Sequence, residues 1–159
     1  RRVFFRSGQI DRSSMETSTM KNTLIYWPVL VQLLIPFWVL ILNGKRKSVD
    51  RRSGAHDPKE SAINNTAWSL PVVLTSNSLA NQFQLPIVFY VLCLILASIS
   101  SVSVFALAVA WLFVATRWFH AYVHVTSNHI PSRFGSFVVS TLVLLVLLVT
   151  TGVALYQIS

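Results

Sequence analysis

The chain has 159 residues, 53% hydrophobic and only 11% charged, with a formal net charge of +8 and a mean hydropathy of +0.60. A soluble domain carries about 25% charged residues, so this composition excludes an ordinary soluble fold and points to one domain in a bilayer. The basic excess is not a nucleic-acid signal: most Lys and Arg lie in the first 60 residues, flanking an apolar segment, as the positive-inside effect and anionic headgroups would have it. The single cysteine, Cys93, excludes an intrachain disulfide and reads as a small buried residue of an apolar run.

Residues 1–21 form a basic tail with Arg1, Arg2, Arg6, Arg12 and Lys21. Met15 and Met20 are candidate natural starts. The pair Arg1-Arg2 faintly resembles a twin-arginine signal, but the apolar run begins some twenty residues later and ends in no cleavage-like region. Residues 22–159 read as the membrane domain. A first span is expected over 24–42, long enough at 1.5 Å per residue to cross a hydrocarbon core of about 30 Å. Pro28, Gln32 and Pro36 recur every four residues, so they share a face that should meet protein. Asn43-Gly44 should close this span, and a loop rich in Lys45, Arg46, Lys47, Arg51, Arg52 and Lys59 should follow. Residues 61–78 suggest a piece lying at the interface with Trp68 as anchor. Further spans are expected over 79–98, 104–125 and 134–155. The turn before the last contains Asn128 and Pro131.

Four spans put both termini on one side. The loop after span one carries six Lys and Arg, the loop after span two none, and the loop after span three Arg133. The positive-inside rule then places loops one and three in the cytoplasm. The basic tail argues the other way unless the chain starts at Met20.

After Glu60 there is no Asp, Glu or Lys, and the only formal charges are Arg117 and Arg133. Charge near hydrocarbon is costly and is usually tied to function. Asn81 and Gln84 are three apart. Arg117, His120 and His124 follow a spacing of three then four, which is one helix face. In an antiparallel bundle the start of span two, the end of span three and the start of span four meet at one membrane surface, so these residues and Arg133 should converge there. Each has a plainer reading. Arg117 can snorkel to headgroups, His120 and His124 can be interhelical hydrogen-bonding residues, and Asn81 and Gln84 can cap or tie helices. Two histidines four apart can also share a metal ion, but no carboxylate or thiolate accompanies them, and no metal is expected. No phosphate loop, nucleophile elbow or carboxylate pair occurs in the membrane part.

The stretch Ala80-Asn81-Gln82-Phe83-Gln84-Leu85-Pro86-Ile87-Val88-Phe89-Tyr90 resembles the start of the second helix in the MAPEG family, membrane-associated proteins in eicosanoid and glutathione metabolism. Residues 110–124, with Arg117 and His120 as an arginine-x-x-histidine core, resemble its third helix. Asp57-Pro58-Lys59 and the turn from Asn128 to Arg133 are similar to small bacterial members. The resemblance covers residues 20–157. It implies an all-α integral membrane four-helix bundle forming a homotrimer in a bacterial cytoplasmic membrane. It further implies glutathione bound between protomers at the cytoplasmic side. By motif position Asn81, Arg117, His120 and Arg133 become glutathione-site residues, and Gln84 and His124 join them by helix face. Arg117 would orient and activate the thiolate. Three departures stand out: Gln84 replaces the usual Glu, Asn77-Ser78-Leu79-Ala80 holds no arginine where one branch has one before the asparagine, and Phe134 or Phe137 stands where that branch has a tyrosine near the thiol. Two functions remain open: a glutathione transferase or peroxidase acting on lipophilic electrophiles, or a non-catalytic scaffold or accessory subunit of a larger membrane complex.

Overall fold

The computed structural model describes residues 22–54 and 57–159. The basic tail, its candidate starts and the twin-arginine-like pair lie outside the described residues. Among the described residues the elements in order are α1 Tyr26–Ser53, α2 Leu70–Asn81, α3 Leu85–Ser98, α4 Val104–Val125 and α5 Ile130–Ile158, with a 3₁₀ turn at Asn65–Ala67. Among the described residues four helical stretches are long and apolar enough to cross a membrane: Asn22–Ser53, Leu70–Ser98, Val104–Val125 and Ile130–Ile158. The fold is an all-helical four-span bundle in which α2 and α3 together make span two.

The third span has the bounds read from the sequence. It begins where the Ser103 hydroxyl accepts the Ala106 backbone N–H at 3.0 Å, an N-cap that satisfies an otherwise orphaned donor. Span one differs. Asn43-Gly44 does not end it, and the helix runs on to Ser53. The Asn43 side chain is engaged sideways instead, its Oδ1 accepting from the Thr75 hydroxyl at 3.0 Å. The Lys and Arg residues beyond are good helix formers and suit the negative end of the helix dipole. The stop comes at Gly54, whose φ of 66° is a left-handed conformation and whose N–H reaches back to the Asp50 carbonyl. Most of the expected basic loop is therefore a helical extension.

Residues 61–78 also differ from the interfacial segment expected. Trp68 is tucked in: its Nε1 donates to the Ser61 carbonyl at 3.1 Å, and Lys47 lies over its ring. Helix α2 starts at Leu70, with Pro71 in the first turn, where its missing N–H costs nothing. The backbone N–H and the hydroxyl of Ser69 donate to the two Asp50 carboxylate oxygens at 3.0 and 2.9 Å, which ties the new helix to α1.

Span two breaks at residues 82–84. Pro86 has no N–H to give the Gln82 carbonyl and its ring crowds that carbonyl, which favours a break here, whereas α1 runs on through Pro36. The freed groups are satisfied locally. Gln82 N donates to Leu79 O and Phe83 N to Ala80 O, both at 3.0 Å, while the Gln82 Nε2 replaces a backbone donor on Ser78 O.

The bundle interior is divided. Toward the loop between α3 and α4 it is apolar: Phe89, Leu92, Cys93, Leu96, Val109, Phe113 and Leu147 pack together, with the Phe89 and Phe113 rings stacked at 4.6 Å. Toward the opposite end only Ile35, Val39 and Ala121 form a small apolar cluster beside Trp38 and Trp118. There the buried residues include Gln32, Asn43, Thr75, Ser78, Gln82, Arg117, His120 and His124. Pro28 and Gln32 face this interior, as their spacing suggested, and Pro36 is half-buried.

Candidate functional site

Arg117 is fully enclosed, the largest completely buried side chain among the described residues. Its Nη2 donates to the Asn81 carbonyl at 3.2 Å, a group that the break in span two leaves without a helical partner. Its Nε and Nη1 have no protein acceptor. A buried guanidinium with two unanswered N–H groups is costly, because each donor has lost its water. Asn81 reaches the same neighbourhood from the other side, its Nδ2 donating to His124 Nδ1 at 3.5 Å.

One turn along α4, His120 bridges to α5. Its Nδ1 lies 3.0 Å from the Arg133 carbonyl and 3.2 Å from the Ser136 hydroxyl. A carbonyl only accepts, so Nδ1 carries the proton and the neutral ring leaves Nε2 as a bare acceptor. That Nε2 is buried with no partner in the protein. The His120 and His124 rings meet edge to face at 5.7 Å. Arg133 turns to the loop, its Nη1 donating to Asn128 Oδ1 at 2.6 Å. Beside His120 a groove of about 390 Å³ runs between α4 and α5, lined by Ala115, Thr116, Phe119, Ser136 and Val139. Among the described residues no group of three His, Cys, Asp or Glu residues could hold a metal ion.

Residues 24–153 match the model of the MAPEG family. The chain belongs to the MAPEG family. No curated protein and no solved structure matches it significantly.

In this MAPEG protein the structure brings together five of the residues singled out from the sequence. Asn81, Arg117 and His124 form one contact group, and His120 meets Arg133 through the Arg133 backbone. Gln84 stands apart: it is exposed at the break, just before α3. Phe137, one of the two residues standing where a tyrosine might be, has its ring 6.1 Å from His120, and Phe134 is exposed. Sequence reasoning passed over Ser78, Gln82 and Ser136. Thr75, Ser78 and Gln82 are spaced by three and four, a polar stripe along one face of α2 and its C-cap that the same periodicity argument would have found. Ser136 carried no such signal, because a serine bonding back to its own helix is common in membrane spans. Here it does both, donating to Arg133 O at 2.9 Å and lying against His120.

Proposed function

We propose that this MAPEG protein binds glutathione and acts as a transferase or peroxidase on lipophilic electrophiles. The observation that carries the reading is Arg117: a buried cation with Nε and Nη1 unanswered, beside Asn81, His124 and His120, with no acidic residue in the chain after Glu60. Such a donor set fits an anion, and glutathione offers two carboxylates and a thiolate. The fit is poorer for its amine, since Gln84 can accept a hydrogen bond but carries no charge. When bound, glutathione supplies the thiol nucleophile. Arg117 then favours the thiolate by charge proximity. Asn81 and Gln84 hydrogen-bond the peptide part, Arg133 takes a carboxylate, and His120 and His124 line the wall between them. The apolar groove between α4 and α5 suits a lipophilic substrate arriving from the bilayer. The resemblance extends the proposal to a homotrimer with the site shared between protomers, in a bacterial cytoplasmic membrane with loops one and three inside.

One observation favours the rival reading, a non-catalytic scaffold or accessory subunit. Arg117 has no exposed surface within the protomer, so a ligand reaches it only if the packing around it moves. Calorimetric titration with glutathione in mild detergent decides between them. The proposal expects weak binding by the wild type, none by Arg117→Ala, and about tenfold to a hundredfold tighter binding by Gln84→Glu, from one added charge-assisted hydrogen bond. Undiminished affinity in Arg117→Ala contradicts the site and leaves the scaffold.

A further inference from the structure

The same pairing of glutamine and proline occurs in two neighbouring spans. Gln32 stands four residues before Pro36 in span one, and Gln82 four before Pro86 in span two. Proline has no N–H, so neither glutamine carbonyl receives the bond a helix would give it. Both side chains are enclosed as well, Gln32 with no exposed surface and Gln82 with 2%. The Gln32 amide has no protein partner at Oε1 or Nε2, and Gln82 has none at Oε1.

Helix packing brings both to Arg117. Ile35 of α1, Leu79 of α2 and Ala121 of α4 meet at the small apolar cluster. One helical turn from that cluster, toward the loop between α3 and α4, stand Gln32, Gln82 and Arg117. Two contacts fix the level, each one residue away. Trp118 Nε1 donates to Val31 O at 3.3 Å, and Arg117 Nη2 to Asn81 O at 3.2 Å.

The unanswered atoms are of both kinds. Arg117 Nε and Nη1 and Gln32 Nε2 are donors, and the side-chain oxygens of Gln32 and Gln82 are acceptors. None of these donors reaches any of these acceptors. Polar groups that face one another beyond hydrogen-bond reach are what a bridging water joins. An anion only accepts: it would answer Arg117 and set its charge against the glutamine oxygens. A cation would answer the oxygens and be repelled by Arg117. Water donates and accepts.

We propose that Gln32, Gln82 and Arg117 hold ordered water between spans one, two and three. The water donates to the glutamine oxygens and accepts from the guanidinium, about three hydrogen bonds for each molecule. It solvates the Arg117 charge inside the bundle when no anion is bound. Because Nε and Nη1 both carry N–H groups, water at one leaves the other for an anion. The water site does not depend on glutathione.

The test is hydroxyl-radical labelling by X-ray pulses of the protein in mild detergent, read by mass spectrometry. The radicals form from water, so an enclosed side chain is oxidised where water lies beside it. Ile35, one turn from Gln32, has no exposed surface, and neither have Phe89 and Phe113 of the apolar half. Phenylalanine is intrinsically the more reactive, yet Ile35 is expected to be labelled and both rings to stay silent. Gln32→Leu puts apolar volume in place of the amide and should silence Ile35. Gln82→Met should do so independently. Gln157→Leu, at the exposed end of α5, and added glutathione should leave the labelling as it is. Ile35 as silent as Phe89 in the wild type would mean a dry seam and overturn the site. Labelling that survives both Gln32→Leu and Gln82→Met would place the water elsewhere, and labelling of Phe89 and Phe113 alongside Ile35 would mean that the bundle opens as a whole. Loss of Ile35 labelling on adding glutathione would give the seam to the anion. Each of these results also overturns the site.

Discussion

The two halves of the bundle interior are built on opposite principles. Around Phe89, Phe113 and Leu147 the spans meet through side chains that need no partner other than shape. Around Arg117 they meet through groups that need hydrogen bonds, and several go without: Gln32, Ser78, Gln82, Arg117 and His120 all have buried polar atoms unanswered by protein. In a bilayer the hydrophobic effect does not separate the two, because lipid tails are as apolar as leucine; packing and polar satisfaction do. The apolar half is therefore the source of stability. The polar half accepts a cost, as the proposed binding role would require.

Breaking the apolar half should have the largest effect. Phe113→Ala removes one ring of the stacked pair and opens a cavity between α3 and α4, and should cost about 3–5 kcal/mol in reversible unfolding from mixed micelles. A cost under about 1 kcal/mol would mean that the half is loosely packed. Next comes the edge of the polar half, where Thr75 is fully buried with its one hydroxyl proton within reach of three acceptors, Asn43 Oδ1 and the Pro71 and Val72 carbonyls. Thr75→Val keeps the shape and removes the hydroxyl. It should cost about 1–2 kcal/mol by the same assay, since Asn43 keeps only the longer 3.4 Å contact to Ser76. The smallest effect belongs to Ser140, whose hydroxyl bonds Thr116 across the α4–α5 seam at 3.1 Å. Ser140→Ala should cost about 0.6 kcal/mol, the usual value for interhelical hydrogen bonds in membranes. A larger loss there would mean that the hydroxyls at the seam act as a network.

How far the sequence carried depended on what each segment needed. Apolar length decided the four spans, and the third kept its expected bounds because its ends are set locally, as by the Ser103 cap. The end of the first span was misplaced because Asn43-Gly44 is a stop only when the asparagine has no better partner. Thr75, 32 residues away, provides one. The start of span two was read too late for a related reason: Asp50 caps Ser69 across 19 residues, and no local pattern announces it. At the site, helix periodicity was enough to group Arg117, His120 and His124. It did not reveal the break at residues 82–84, which exposes Gln84 while giving the Asn81 carbonyl to Arg117.

The central claim is that Arg117 is retained for binding and not for stability. Arg117→Met tests it in one protein, because methionine fills much of the same volume without charge or N–H groups. Replacing buried charge by an apolar side chain of similar size is often neutral or stabilising. Thermal unfolding and glutathione titration are measured on the same preparation. The account predicts stability that is unchanged or higher, together with loss of glutathione binding. A variant that unfolds more easily and still binds glutathione would contradict it.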